Sequence, residues 1–100
     1  MITDQQPKFE TVMIIDDNTV DLYITSRLIS KNYFGKKVLE YSDAKEALKY
    51  LQDNQENISV LPQIIFIDIY MPLMSGFELL EAYDKLPLTL KDYCKVYIIS

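Results

Sequence analysis

The hundred-residue sequence predicts a doubly wound α/β fold built on a parallel sheet. Three apolar runs carry that expectation: "VMIID" from Val12, "IIFID" from Ile64 and "VYIIS" from Val96. Each is near-continuous rather than alternating, the pattern of a strand covered on both faces. The segments between the strands repeat apolar residues at helical spacing. Strands alternating with helices imply crossover connections and parallel pairing.

Taken in order, residues 1–10 ("MITDQQPKFE") read as a polar leader and residues 11–100 as one domain. Residues 11–16 form the first strand. Asn18 can cap the next helix through its side-chain oxygen, and Val20, Ile24 and Leu28 at i, i+4, i+8 give residues 19–31 an expected buried face. Gly35 is a break, and "KKVLEY" is a second strand polar enough for a sheet edge. Ser42 or Asp43 opens a helix with Ala44, Ala47, Leu48 and Leu51 on one face. A loop with Pro62 leads to "QIIFID", the third strand. Ser75 and Glu78 are spaced as a capping box, starting a helix whose expected buried face is Phe77, Leu80 and Tyr83 and whose end is marked by Pro87. "KVYIIS", residues 95–100, is the fourth strand, so the order is βαβαβαβ.

Composition narrows the chemistry. With 49% hydrophobic and 25% charged residues, the chain has the make-up of a soluble globular protein. It has no apolar run long enough to span a bilayer and no basic, apolar leader, so a cytoplasmic location without membrane attachment is expected. Cys94 is the single cysteine; it fits a reducing compartment and is read as structural. The absence of histidine removes Ser-His-Asp and Cys-His catalysis, histidine metal sites and any phosphohistidine on this chain. Oxygen ligands remain, and they suit hard cations such as Mg²⁺ or Ca²⁺. A net charge of −5 argues against direct nucleic-acid binding.

In a doubly wound sheet all strand C-termini share one edge, and ligands bind there where the winding reverses. If the strands from residues 11, 63 and 95 are neighbours, Asp16, Asp17, Asp68 and Ser100 converge. Like charges about 4 Å apart cost roughly 4 kcal/mol at an effective dielectric near 20. Such a group is tolerated with a shared proton or a bound cation. Neither motif carries Lys or Arg, so Mg²⁺ is the expected occupant. A carboxylate beside Mg²⁺ can attack a phosphoryl group and form an aspartyl phosphate. Asp68, a lone acid at a strand tip, is the expected nucleophile, with the Asp16–Asp17 pair holding the metal. The structural alternatives are a helix cap for Asp17, packing roles for Met71, Met74 and Phe77, and solvated faces or caps for Glu10, Asp21, Glu40, Asp43 and Glu81.

Together, "IIDDN", "IDIYMPLMSGFELL" and "VYIIS" resemble the receiver domain of two-component response regulators, in order from Thr11 to Ser100. The resemblance implies a flavodoxin-like topology with Asp68 as phosphoacceptor. It implies that Asp17 ligates Mg²⁺ directly, Asp16 largely through water, and Tyr70 through its backbone carbonyl. Ser100 falls at the family's switch hydroxyl, and Pro72 and Gly76 shape the loop behind the acceptor. The implied donor is a sensor histidine kinase or a histidine phosphotransfer protein, and the implied output is a downstream protein effector. Such a chain is not an enzyme acting on a separate substrate. Family members usually continue with a helix, a fifth strand ending in a lysine, and a last helix. The sequence ends at Ser100, and neither Lys91 nor Lys95 takes the lysine's place, so the domain is expected to be incomplete at its C-terminus. Such a chain, if folded, is expected to associate or swap with a second copy along the strand at residues 95–100.

Two other functions remain open. A phosphate-blind interaction module of the same fold fits the missing lysine. A haloacid-dehalogenase-type phosphatase fits less well, because "DDNTV" from Asp16 has Asn18 where that chemistry needs a second acid as proton donor.

Overall fold

The computed structural model describes residues 6–68, 71 and 74–99. Its strands are β1 (Phe9–Ile15), β2 (Gly35–Tyr41), β3 (Ile64–Asp68) and β4 (Lys95–Ile99). They form one sheet in the order β2-β1-β3-β4, and every pairing is parallel. The chain winds from β1 outward to β2, then crosses back so that β3 lies on the far side of β1. The winding therefore reverses between β1 and β3, as the predicted fold class requires. This is a flavodoxin-like arrangement.

The helices are α1 (Thr19–Lys31), α2 (Ala44–Asp53), α3 (Gly76–Asp84) and α4 (Leu88–Tyr93). The expected caps are in place. Asn18 accepts from the backbone N–H groups of Val20 and Asp21 at 3.0 and 3.1 Å. Asp43, rather than Ser42, accepts from Lys45 N–H at 2.9 Å. Ser75 and Glu78 close a reciprocal capping box.

The sheet separates two apolar layers. Val12 and Ile14 of β1, with Ile64 of β3, pack against Leu22 and Ile29 of α1. Met13, Ile15, Ile65 and Ile67 point the other way, into a larger cluster with Ala44, Ala47, Leu51, Leu79, Tyr83 and Leu90 from α2, α3 and α4. The alternation along β1 follows directly from strand geometry, since successive side chains face opposite sides. Met71 is buried in the larger cluster and Met74 packs against it, as expected.

Two helix faces differ from expectation. On α1, Val20, Ile24 and Leu28 are 65%, 50% and 54% exposed, and the buried positions are Leu22, Ser26 and Ile29. Apolar residues run along both sides of this helix, so spacing alone does not choose the inner side. The buried side includes a serine because Ser26 Oγ donates to Glu40 of β2 at 2.9 Å. On α3, Phe77 is exposed and Leu79 takes the inner place, while Leu80 is partly buried and Tyr83 is buried as expected.

The other departures are local. β1 begins at Phe9, two residues earlier than expected, and Gly35 is the first residue of β2, paired with Phe9. A Cβ on Gly35 would lie 2.6 Å from Val12 Cγ2, and Val12 is fully buried. The glycine is there because β2 enters the sheet against the Val12 side chain. Past Pro87 the chain forms α4, a helix the sequence reading omitted; its Leu90 is fully buried. Tyr83 donates its hydroxyl to the Cys94 carbonyl at 3.1 Å, tying α3 to the start of β4. Burial pushes the Cys94 thiol up to about 12, which leaves it a neutral packing group, consistent with a structural cysteine.

Candidate functional site

The site lies at the C-terminal ends of β1 and β3. Ile15 pairs with Ile67, so the next residues, Asp16 and Asp68, emerge at the same level on adjacent strands. Asp16 continues the sheet ladder through its N–H, which donates to the Tyr41 carbonyl at 3.0 Å. Its carboxylate accepts from Asn18 N–H at 2.9 Å. That turn directs the chain into α1, leaving Asp17 exposed beside it. Asp68 ends β3, opposite Ile99 of β4.

Asp16, Asp17 and Asp68 each present a carboxylate oxygen within 4.8 Å of the others. Asp16 is the buried member, Asp68 is partly buried and Asp17 is exposed. Burial raises the Asp16 carboxyl above its ordinary value; the Asp68 charge, a hydrogen bond with Asp68 and the charge of Asp21 push the same way. The Asn18 N–H opposes them. The protein alone thus disfavours the ionised form of Asp16. Three hard oxygen donors under mutual repulsion are suited to a divalent cation such as Mg²⁺, which would relieve both the repulsion and the raised affinity of Asp16 for a proton.

An open cavity of about 230 Å³ adjoins the acids, lined by Asp16, Asp21, Ile24, Thr25, Asp68 and Ile99. None of these residues is basic. Asp21, read from sequence as a cap or a solvated face, thus belongs to the wall of the site, as do Ile24 and Thr25. Their spacing of three and four residues along α1 was the available signal, since it sets them on one side of the helix above the strand ends. Gly76 is the first residue of α3 and is buried. Ser100, Tyr70 and Pro72 lie outside the described residues.

The comparisons with known proteins converge on one family. The family model for the response regulator receiver domain matches residues 12–100. A two-component response regulator of Arabidopsis thaliana is 38% identical over 69 residues, covering 68% of this chain and 11% of that protein. The chain therefore spans about a tenth of that relative's length. The crystal structure of a response regulator receiver protein from Dyadobacter fermentans superposes with a TM-score of 0.80 at 25% identity, covering 91% of this chain and 68% of that one. The receiver domain of the histidine kinase CKI1 from Arabidopsis thaliana, in complex with Mg²⁺, gives a TM-score of 0.76 at 24% identity, over 91% of this chain and 67% of that one. With acids meeting at the strand ends of the expected sheet and a match running from Val12 to the final residue, the chain belongs to the response regulator receiver domains.

Proposed function

We propose that the chain is a phosphoacceptor, with Asp68 receiving a phosphoryl group from a histidine kinase or a histidine phosphotransfer protein. The observation that carries this reading is the meeting of the Asp16, Asp17 and Asp68 carboxylates within 4.8 Å, on the strand ends of a receiver-family sheet. Asp16 and Asp17 are the residues that would hold Mg²⁺, with Asp68 and the Tyr70 carbonyl completing the protein's donors. When bound, Mg²⁺ supplies positive charge that offsets the acids and the phosphoryl oxygens. The Mg²⁺ complex of the CKI1 receiver domain supports that choice of ion.

The chain's own residues do the rest. The β3 backbone fixes Asp68 at the pocket floor, and its carboxylate oxygen attacks phosphorus. The new P–O bond forms as the donor's P–N bond breaks, and the electron pair stays on the imidazole nitrogen. The phosphoryl group brings close to two negative charges to a strand end. Ser100 is the proposed hydroxyl that responds, and a downstream protein effector reads the resulting shift between two packings. The chain turns over no separate substrate. No described helix is long and apolar enough to cross a membrane; the proposal sets the chain in the cytoplasm with its donor. Asn18 favours this reading over a dehalogenase-type phosphatase, since it is an amide whose oxygen caps α1.

Intact mass spectrometry after incubation with a small-molecule phosphodonor tests the proposal. A single phosphoryl adduct that disappears when Mg²⁺ is chelated is the expected result. A folded chain that gains no mass in either condition would instead be a phosphate-blind interaction module.

Self-association through β4 belongs to the same proposal. Among the described residues β4 is an outer strand of the sheet, with Tyr97, Ile98 and Ile99 exposed by 54%, 43% and 37%. An outer strand that is apolar on both faces is a template for pairing, and a second copy aligned along its own β4 is the expected partner. β2, at the other edge, is blunted by exposed Lys36, Lys37 and Glu40. Light scattering on the hundred-residue chain is expected to report a dimer at high concentration and a monomer on dilution. A monomer throughout would remove the idea.

A further inference from the structure

Asp21 stands apart from the acids proposed to hold the metal. It is not a member of the group whose oxygens meet within 4.8 Å, yet it lines the same 230 Å³ cavity as Asp16 and Asp68. It sits in the first turn of α1, and Thr25 follows one turn later on the same wall. Ile24 and Ile99 make the apolar part of the lining. The cavity therefore has a floor where the acceptor lies and a side wall on α1 with one fixed negative charge. Because Asp68 opens onto this cavity, it is the space in which we place a group leaving phosphorus as the phosphoryl lands on Asp68.

Resting on the reading of Asp68 as acceptor, we propose that Asp21 is a specificity-determining residue that selects donors with a protonated nitrogen leaving group over donors whose leaving group is an anion. In a phosphoimidazole donor the P–N bond breaks, the P–O bond to Asp68 forms, and the electron pair remains on the ring nitrogen. If the second ring nitrogen already carries a proton, the ring departs as neutral imidazole and no further proton is required. A carboxylate beside the ring favours that protonated donor by direct attraction. Ile24 and Ile99 give the flat ring an apolar surface. With acetyl phosphate a P–O bond breaks and the leaving group is acetate, which the Asp21 charge repels. Asp21 is exposed, so its field is screened by solvent, and a change of about tenfold in donor preference is the expected scale. A charge at the start of a helix also favours the helix dipole. That role would shift both donors alike.

The test compares the whole chain with Asp21→Asn and Asp21→Glu, following adduct formation by intact mass with phosphoimidazole and with acetyl phosphate at saturating Mg²⁺. In Asp21→Asn the rate from phosphoimidazole is expected to fall and the rate from acetyl phosphate to rise, moving their ratio by about tenfold. Asp21→Glu is expected to restore the preference, and added salt to shrink the difference. Equal changes with both donors, or an unchanged ratio, would overturn the role assigned to Asp21. A wild-type chain that accepts from neither donor would overturn the acceptor reading itself, and the two failures are told apart by that control.

Discussion

Asp68→Asn is expected to remove the phosphoryl adduct completely, while Asp16→Asn and Asp17→Asn leave an acceptor in place and reduce the yield. The three differ because their positions differ. Asp68 is the lone acid at the end of β3, whereas Asp16 and Asp17 follow β1 and share the proposed work of holding a cation. An amide at position 68 keeps the side chain's size but is too weak a nucleophile for phosphorus. Stability separates chemical loss from unfolding. Burial, with the Asp68 charge adding to it, raises the Asp16 carboxyl, so an amide at either position 16 or position 68 removes an unfavourable charge and is expected to leave the unfolding midpoint unchanged or higher. Mg²⁺ provides the complementary measurement. A cation that binds only the native state at a hundred times its Kd adds about 2.7 kcal/mol. In a domain of this size that raises Tm by roughly 10–20 °C. The wild-type chain is expected to show that rise and Asp17→Asn much less of it. An adduct that survives in Asp68→Asn, confirmed by peptide mapping at another residue, would remove Asp68 from the proposed role.

The convergence behind that prediction is legible in the sequence, and the reason lies in the strands. Strand C-termini in a parallel sheet share an edge whatever the details of the helices, so reading "VMIID" and "IIFID" as neighbouring strands was enough to bring Asp16 and Asp68 together. The caps were legible for a similar reason: Asn18, Asp43 and the Ser75–Glu78 box act through their own local backbone. Helix faces depend on more distant partners. Two apolar stripes compete on α1, and the choice falls to the one that brings Ser26 to Glu40 and Leu22 and Ile29 onto β1. That choice leaves Ile24 in the cavity wall and Leu28 at the surface. Asp21 is exposed in the first turn of α1, as a solvated acid is expected to be, but its place in the cavity wall depends on which side of α1 overhangs the strand ends. The short helix after Pro87 escaped because six residues hold too little periodicity to register, although proline near a helix start is a known signal.

The two layers of the core are expected to respond differently to the same cavity. Ile14 and Ile15 are adjacent on β1, both fully buried, and they point to opposite faces of the sheet. Truncating a buried isoleucine to alanine costs about 2–5 kcal/mol, and the spread reflects how far the surroundings can collapse into the space. Ile15 lies in the larger cluster, closed over by α2, α3 and α4, where Ala47, Leu51, Leu79 and Leu90 are almost completely buried. Side chains there have little freedom to move, so Ile15→Ala is expected near the top of the range, at about 4–5 kcal/mol. Ile14 lies under α1 in a smaller cluster edged by Phe34 and Phe66, which are partly buried. Open cavities of about 350 and 260 Å³ adjoin those rings. With room to shift on one side, the α1 layer can close much of the gap, and Ile14→Ala is expected nearer 2–3 kcal/mol. Because a domain of this size is stable by only about 5–15 kcal/mol, the first substitution is expected to consume a large share of the total. Urea unfolding of the two variants under one set of conditions measures the difference directly. Equal costs would mean that α1 is held as rigidly as the opposite layer, and that the open space beside Phe34 and Phe66 gives Ile14 no relief.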